Sequence, residues 1–146
     1  MKTLVLFDSN LGNTKKIAET IAGELGNGAE VKSIADFDKQ QLNGIDFLIV
    51  GSPIIGWKPT EKMQGFLNGF KVGELNGKKA TTFDTRVKLF IHGDAKEKLA
   101  KKLQSLGAEI FTESQAFYVK GKQAVLLEGE IEKAKEWAIN IKTKLN

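Results

Sequence analysis

The sequence predicts an α/β protein in which parallel strands alternate with helices to form an open sheet. Short apolar runs such as Thr3–Phe7 indicate strands that are buried on both faces. Apolar residues at four-residue spacing, as in Ile17, Ile21 and Leu25, indicate amphipathic helices between those runs. Strands that alternate with helices pair in parallel, because each helix crosses over one face of the sheet.

The first half of the chain contains three predicted strands and two predicted helices. The helix after the first strand ends at Gly26, and residues 30–34 alternate as a second strand. A buried third strand is expected at residues 45–50, followed by a loop at residues 52–59. Thr60 is a suitable N-cap for the second helix, which continues through residues 63–67.

The second half continues the alternation and completes five strands and four helices. Apolar spacing again marks each helix, and acidic residues begin the last helix while lysines end it, which complements the helix dipole. The predicted elements are, in order, a strand at 78–83, a helix through Leu99, Leu103 and Leu106 that ends at Gly107, a strand in two pieces at 109–111 and 116–119, and a closing helix through Ile131, Ala134, Ala138, Ile141 and Leu145.

The composition limits the classes of function. The chain has 146 residues and no cysteine, so disulfides, thiol catalysis and thiolate metal sites are excluded, and redox chemistry would require a bound cofactor. A net charge of +4 is small for a nucleic-acid binder, and no apolar run approaches the roughly 18 residues of a membrane helix. We therefore expect one cytoplasmic domain over residues 1–146 that acts as a monomer, with neither nucleic acid nor membrane as a partner.

Ligands of open parallel sheets bind beyond the carboxyl ends of the strands, so the loops at 8–14, 52–59 and 84–92 are the candidate site. The first loop combines hydroxyl, amide and glycine residues with the N-terminus of a helix, where unpaired N–H groups attract anions. It contains no lysine, which favours a phosphate monoester over a nucleoside triphosphate. An ordinary turn with Asn13 or Thr14 as N-cap is the alternative. The residues of this turn are Ser9, Asn10, Leu11, Gly12, Asn13 and Thr14.

Two of these loops resemble segments of the flavodoxin family. A strand, the motif Ser-x-x-Gly-Asn-Thr and an amphipathic helix resemble the FMN phosphate loop of that family, with Leu11 where the family usually carries Thr or Ser. The segment at residues 51–59 is similar to the Gly-Ser-Pro segment beside the isoalloxazine ring. The resemblance covers essentially the whole chain. It implies a flavodoxin-like, doubly wound sheet of five parallel strands in the order 2-1-3-4-5, with helices on both faces.

The resemblance also implies non-covalent FMN held by all three loops. Trp57 would stack on the ring, and Gly56 would belong to a peptide that can reorient. The third loop lacks the Tyr that flavodoxins commonly have there, and Phe90 is a candidate substitute. The implied cofactor-binding residues are Ser9, Asn10, Leu11, Gly12, Asn13, Thr14, Ser52, Pro53, Ile54, Ile55, Gly56, Trp57, Asp84, Thr85 and Arg86.

The implied role is that of an electron carrier with no catalytic residue of its own. Such a carrier shuttles electrons between redox partner proteins, and the positive net charge predicts an acidic docking surface on the partner. If Lys58 or Arg86 lies beside the ring, we expect a less negative reduction potential than is typical of the acidic members of the family.

Other functions remain as alternatives at this point. The first is an FMN-dependent reductase that passes electrons from NAD(P)H to quinones, and the second is a non-redox binding module with a degenerate flavin site. A hydrolase triad of His92, Asp84 and Ser9 or Ser52 lacks the Gly-x-Ser-x-Gly motif. A metal site that includes His92 lacks a defined fourth ligand, so we expect no structural metal.

Overall fold

The computed structural model describes residues 1–88, 93–120 and 125–145. Short 3-10 turns at Ile34–Asp36 and Lys39–Leu42 lie between the second and third strands. The strands are β1 (Thr3–Phe7), β2 (Glu30–Ser33), β3 (Phe47–Ile55), β4 (Lys58–Pro59), β5 (Lys79–Val87), β6 (Glu109–Ile110), β7 (Gln115–Lys120) and β8 (Val125–Leu126). The helices are α1 (Asn13–Leu25), α2 (Glu61–Asn68), α3 (Lys96–Ser105) and α4 (Glu130–Leu145).

The main strands form a parallel sheet in the order β2-β1-β3-β5-β7. This arrangement confirms the predicted order 2-1-3-4-5. The predicted break in the last strand is also confirmed, because β6 and β7 both pair in parallel with β5. The short strands β4 and β8 were not predicted, and they add antiparallel edges to β3 and β7.

Helices cover both faces of the sheet because alternate residues of each strand point to opposite sides. Leu4 and Leu6 of β1 pack with residues of α2 and α3 on one face. Val5 and Phe7 pack with residues of α1 and α4 on the other face. Within the described ranges, no helix has the length and apolar character needed to span a bilayer.

The ends of two strands differ from the prediction. The third strand runs from Phe47 to Ile55 rather than over residues 45–50, and β5 continues through Asp84, Thr85 and Arg86, which were assigned to a loop. The polar composition there suggested a loop, but the two strands pair with each other, Ser52 opposite Asp84 and Pro53 opposite Thr85. This pairing satisfies the backbone and carries polar side chains into the sheet.

Gly51 of β3 lies directly against the ring of Phe83, at a place where the sheet packs closely on α4. A Cβ atom added to Gly51 would lie 2.1 Å from Cζ of Phe83, which contacts Phe117 and Trp137 edge to face. We expect Gly51→Ala to lower the free energy of unfolding by about 1–3 kcal/mol, because the buried ring has little room to move. Urea denaturation measures this change.

Gly23→Ala is the matched control for this substitution. Gly23 is exposed within α1, and an added Cβ would have no atom within 4 Å. Alanine there should raise the free energy of unfolding by about 0.5–1 kcal/mol, since it restricts the unfolded chain. Equal effects of the two substitutions would contradict a tight contact between Gly51 and Phe83.

Candidate functional site

The loop that follows β1 meets the ends of β3 and β5 around one cavity of about 230 Å³. The cavity lies at the carboxyl ends of these parallel strands, where the sequence predicted a ligand site. Its walls therefore combine the start of α1, the end of β3 and the end of β5. They are formed by Ser9, Asn10, Leu11, Asn13, Thr14, Pro53, Ile54, Ile55, Thr85, Arg86, Val87 and Val119.

The first loop folds into a tight turn that exposes the start of α1. Gly12 is the N-cap residue and adopts a left-handed conformation with φ of 90°, which glycine tolerates without a steric penalty. The Oγ atom of Ser9 accepts a hydrogen bond from the Gly12 N–H at 3.1 Å. Backbone N–H groups point outward at the start of a helix and carry partial positive charge there, so this turn is suited to an anion.

A pair of buried hydroxyls joins the first loop to the third. The Oγ1 atoms of Thr14 and Thr85 are 2.8 Å apart, and both side chains are buried. One hydrogen atom is shared between the two oxygens, which leaves the second hydroxyl hydrogen available to another acceptor. The two threonines are 71 residues apart in the sequence, so this contact could not be predicted from local sequence.

A second polar cluster joins the first loop to the second. Thr60 Oγ1 donates to Asp8 Oδ2 at 2.5 Å and accepts from the N–H of Met63, so it caps α2 as predicted. The Oγ atom of Ser52 accepts from the Thr60 N–H and donates to the carbonyl of Pro53. The Ser52 side chain is fully buried in this cluster and does not line the cavity.

Arg86 and Asp84 form a buried ion pair at the end of β5. The guanidinium donates to both carboxylate oxygens, from Nε at 2.8 Å and from Nη2 at 2.5 Å. Asp84 also accepts from the N–H groups of Ala95 and Lys96 at the start of α3. The Asp84 side chain therefore anchors a helix and balances the charge of Arg86, while Arg86 itself lines the cavity.

The charge of Arg86 is maintained despite its burial. Desolvation opposes this charge, but the hydrogen bonds and negative charge of Asp84, with Asp94 as a further neighbour, raise the pKa of the guanidinium above its ordinary value. The resulting stabilisation is complete below the ordinary arginine pKa, so it does not vary across neutral pH. Because Asp84 compensates the cation, Arg86 does not present an isolated positive charge to the cavity.

The second loop is a hairpin rather than an irregular loop. Ile54 pairs with Pro59 and Ile55 pairs with Lys58 in antiparallel register. The turn residues Gly56 and Trp57 both have positive φ, 60° and 73°, as in the type I′ turns that suit the twist of hairpins. A left-handed conformation costs a residue such as Trp about 1–2 kcal/mol.

Backbone contacts hold this turn against the start of α3. The Trp57 carbonyl accepts from the Asp94 N–H at 3.1 Å. A side chain on Gly93 would collide with it, since a Cβ there would lie 2.2 Å from the Trp57 oxygen. The Trp57 side chain is 57% exposed, and neither it nor Gly56 lines the cavity.

The structure thus brings ten of the predicted site residues together around the cavity. Gly12, Ser52, Gly56, Trp57 and Asp84 lie beside the cavity without lining it. Val87 and Val119 line the cavity but were missed, although both are apolar residues close to the carboxyl end of a strand. Phe90 and His92 lie outside the described residues. Both oxygens of Asp84 already accept hydrogen bonds, which argues against its role in a hydrolase triad.

The order of the strands and the position of the cavity define a flavodoxin-like α/β protein with a ligand site at the end of its parallel sheet. The sequence profile of the Flavodoxin family matches residues 5–137. The chain therefore belongs to the flavodoxin family, whose members carry electrons on a bound flavin.

Individual relatives agree with this assignment. A flavodoxin of Aquifex aeolicus is 34% identical over 92 residues, which span 58% of this chain and about half, 49%, of that protein. A flavodoxin of Maridesulfovibrio salexigens is 28% identical over 123 residues, 77% of this chain and 83% of the relative. The structure of oxidised flavodoxin 1 from Bacillus cereus shares the fold, with a TM-score of 0.81 and 24% identity over the full length of both chains.

The Asp84–Arg86 ion pair can be used to test what stabilises the wall of the cavity that β5 forms. We expect Asp84→Asn to lower the free energy of unfolding by about 3–5 kcal/mol, because it removes the buried counter-charge of Arg86 and leaves only the more exposed Asp94, at 3.6 Å. Arg86→Gln should cost less, since the Asp84 carboxylate keeps its two backbone donors from α3. Urea denaturation at neutral pH compares the two, and an equal or larger loss for Arg86→Gln would contradict the central position of Asp84.

Proposed function

We propose that the protein binds FMN non-covalently in the cavity and carries electrons between redox partner proteins. The observation that supports this most strongly is the composition of the cavity, which has a polar turn at the start of α1 and an apolar wall from β3. FMN has the same division into a phosphate and a largely apolar ring. Family membership supports the same role, whereas no contact in the described residues favours the reductase or the non-redox module.

The first loop offers what a phosphate monoester requires. Backbone N–H groups at the start of α1, the hydroxyl of Ser9 and the Thr14–Thr85 pair supply neutral donors around one part of the cavity. Leu11 contributes no hydroxyl, and its side chain is 68% exposed. We propose that this turn holds the phosphate mainly through backbone groups.

The end of β3 offers a surface for the ring. Pro53, Ile54 and Ile55 form an apolar wall, and Val87 and Val119 line the cavity as well. When bound, FMN accepts and releases electrons at its ring. The residues of this chain would position the ring and exclude water from one part of it. The compensated charge of Arg86 makes the reduction potential depend on the Asp84–Arg86 pair as a unit rather than on Arg86 alone.

The fold supports a single-domain organisation as a further part of the proposal. The described strands belong to one sheet, and each helix packs on one of its two faces, which supports a single domain over residues 1–146. We propose that this domain acts as a monomer. Size-exclusion chromatography with light scattering on the flavin-loaded protein measures the oligomeric state directly.

Selective uptake of FMN tests the phosphate site. We expect the purified protein to bind FMN at least about tenfold more tightly than riboflavin, since hydrogen bonds to a charged group contribute about 1.5–3 kcal/mol. Thr14→Val should remove much of this preference while leaving riboflavin binding unchanged. Flavin fluorescence quenching measures both affinities.

Thr20→Val is the control for this experiment. Thr20 lies on the same helix, and its hydroxyl donates to the Lys16 carbonyl away from the cavity. This variant should keep the full preference for FMN. Failure of the unmodified protein to bind either flavin would overturn the proposed function.

The strained residue Trp57 gives a second test, because both Trp57→Gly and Trp57→Ala remove the ring but only glycine relieves the positive φ. We expect the glycine variant to be more stable than the alanine variant by about 1 kcal/mol. If the indole contacts the bound flavin, both variants should bind FMN more weakly by the same factor, measured by fluorescence titration. Unchanged FMN affinity in both would exclude stacking by Trp57.

A further inference from the structure

A second cavity, of about 160 Å³, lies between α2 and α3. Its floor is apolar and consists of Pro59, Leu67 and Leu99, all of them buried. The cavity is small enough for a side chain rather than for a cofactor. We call it the lysine groove because its rim carries Lys58, Lys98 and Lys102.

The rim of the lysine groove concentrates positive charge. Lys98 and Lys102 are four residues apart on α3, so they share a helix face, and Lys58 faces them from β4. Like charges at this spacing repel each other, and Lys98 also lies near the positive end of the helix dipole. No described residue that lines the groove is acidic, and no ion pair within the described ranges involves any of the three lysines.

The one acidic side chain of α3 is engaged by groups outside the lysine groove. Glu97 of α3 bonds to Lys96 and to the hydroxyl of Ser114, away from the groove. The Lys98 ammonium instead donates to the Trp57 carbonyl at 3.3 Å, which holds it beside the hairpin turn. None of the three ammonium groups therefore has a carboxylate within 4 Å among the described residues, and an external acidic group would supply one.

The hairpin places the lysine groove next to the proposed flavin cavity. Ile54 and Ile55 line the flavin cavity, while their strand partners Pro59 and Lys58 line the groove. Paired strands are about 5 Å apart, so the two sites are separated by roughly the width of one hairpin. A protein seated on the groove would thus be held close to the flavin, as electron transfer requires.

We propose that the lysine groove is the docking site for an acidic redox partner protein. Aspartate or glutamate side chains of the partner pair with Lys58, Lys98 and Lys102, and an apolar part of the same side chains covers the floor. This inference rests on the proposed function, because it assigns the surface through which the FMN-loaded protein exchanges electrons. Charge complementarity of this kind mainly accelerates and orients the encounter.

The test compares two forms of cytochrome c, one basic and one acidic, as electron acceptors. Native cytochrome c is basic, and succinylation of its lysines makes it acidic while the haem is retained. The FMN-loaded protein is reduced with dithionite, and each haem then takes one electron as its iron passes from the ferric to the ferrous state. At low ionic strength, we expect the acidic cytochrome to be reduced on the order of tenfold faster than the basic one, with a difference that shrinks as salt is added.

Two triple variants assign this preference to the groove. Lys58→Glu/Lys98→Glu/Lys102→Glu should abolish or reverse it. The control Lys2→Glu/Lys135→Glu/Lys142→Glu changes the net charge by the same amount at exposed positions outside the groove and should retain most of it. Equal loss in both triple variants would show that net charge alone matters and would overturn the proposal.

A neutral oxidant separates this proposal from the proposed function. The unmodified protein and both triple variants should bind FMN and, once reduced, should reduce 1,4-benzoquinone at similar rates. The quinone takes up two electrons and two protons in this reaction. Failure of the unmodified protein in this reaction would overturn the electron-transfer role itself. Normal reaction with benzoquinone but no preference for the acidic cytochrome would overturn only the docking site. Binding of the groove to anionic phospholipid vesicles without that preference would assign it to a lipid surface and also overturn the proposal.

Discussion

A buried hydrogen bond from Thr60 to Asp8 joins the end of β1 to the start of α2. Asp8 also accepts from the N–H of Ser9, and Thr60 binds Ser52 through its own N–H. These contacts fix the first loop and the end of β3 relative to each other. Two walls of the cavity come from these segments, so its shape depends on this cluster more than on either loop alone.

Two further buried contacts complete the frame of the cavity. The Thr14–Thr85 pair ties the start of α1 to β5, and the Asp84–Arg86 pair ties β5 to α3. Buried polar groups are expensive to leave without partners, about 1–3 kcal/mol each, so each contact is sharply defined. Residues that satisfy one another can therefore hold a polar cavity rigidly at the edge of an otherwise apolar sheet.

Much of the fold could be predicted from the sequence, because apolar periodicity reports directly on which residues face the core. The start of β1, the end of α1 at Gly26 and the divided fifth strand all follow from local patterns. The extension of β5 through Arg86 could not be predicted in this way, since its polar residues find partners that are distant in sequence. The hairpin turn at Trp57 could not be predicted either, because an aromatic residue rarely adopts positive φ.

The candidate site could also be predicted only in part from the sequence. Local motifs predicted which loops form the cavity, but they did not separate the residues that line it from those that support it. Asp84 and Ser52 illustrate this, because their polar side chains suit a ligand site and yet serve the ion pair and the cluster around Thr60. Whether a side chain lines the cavity or only supports its walls depends on partners that are distant in the sequence. Only the tertiary structure shows those partners.

The hairpin links the proposed cofactor site to the rest of the molecule through backbone contacts. Asp84 caps the start of α3, the Asp94 N–H binds the Trp57 carbonyl, and the far strand of the hairpin borders the lysine groove. The strain at Trp57 is offset by these contacts rather than by burial of its exposed ring. A change in the backbone of this turn would therefore be felt on both sides of the hairpin, whereas the side chain of Lys58 borders only the lysine groove and does not line the flavin cavity.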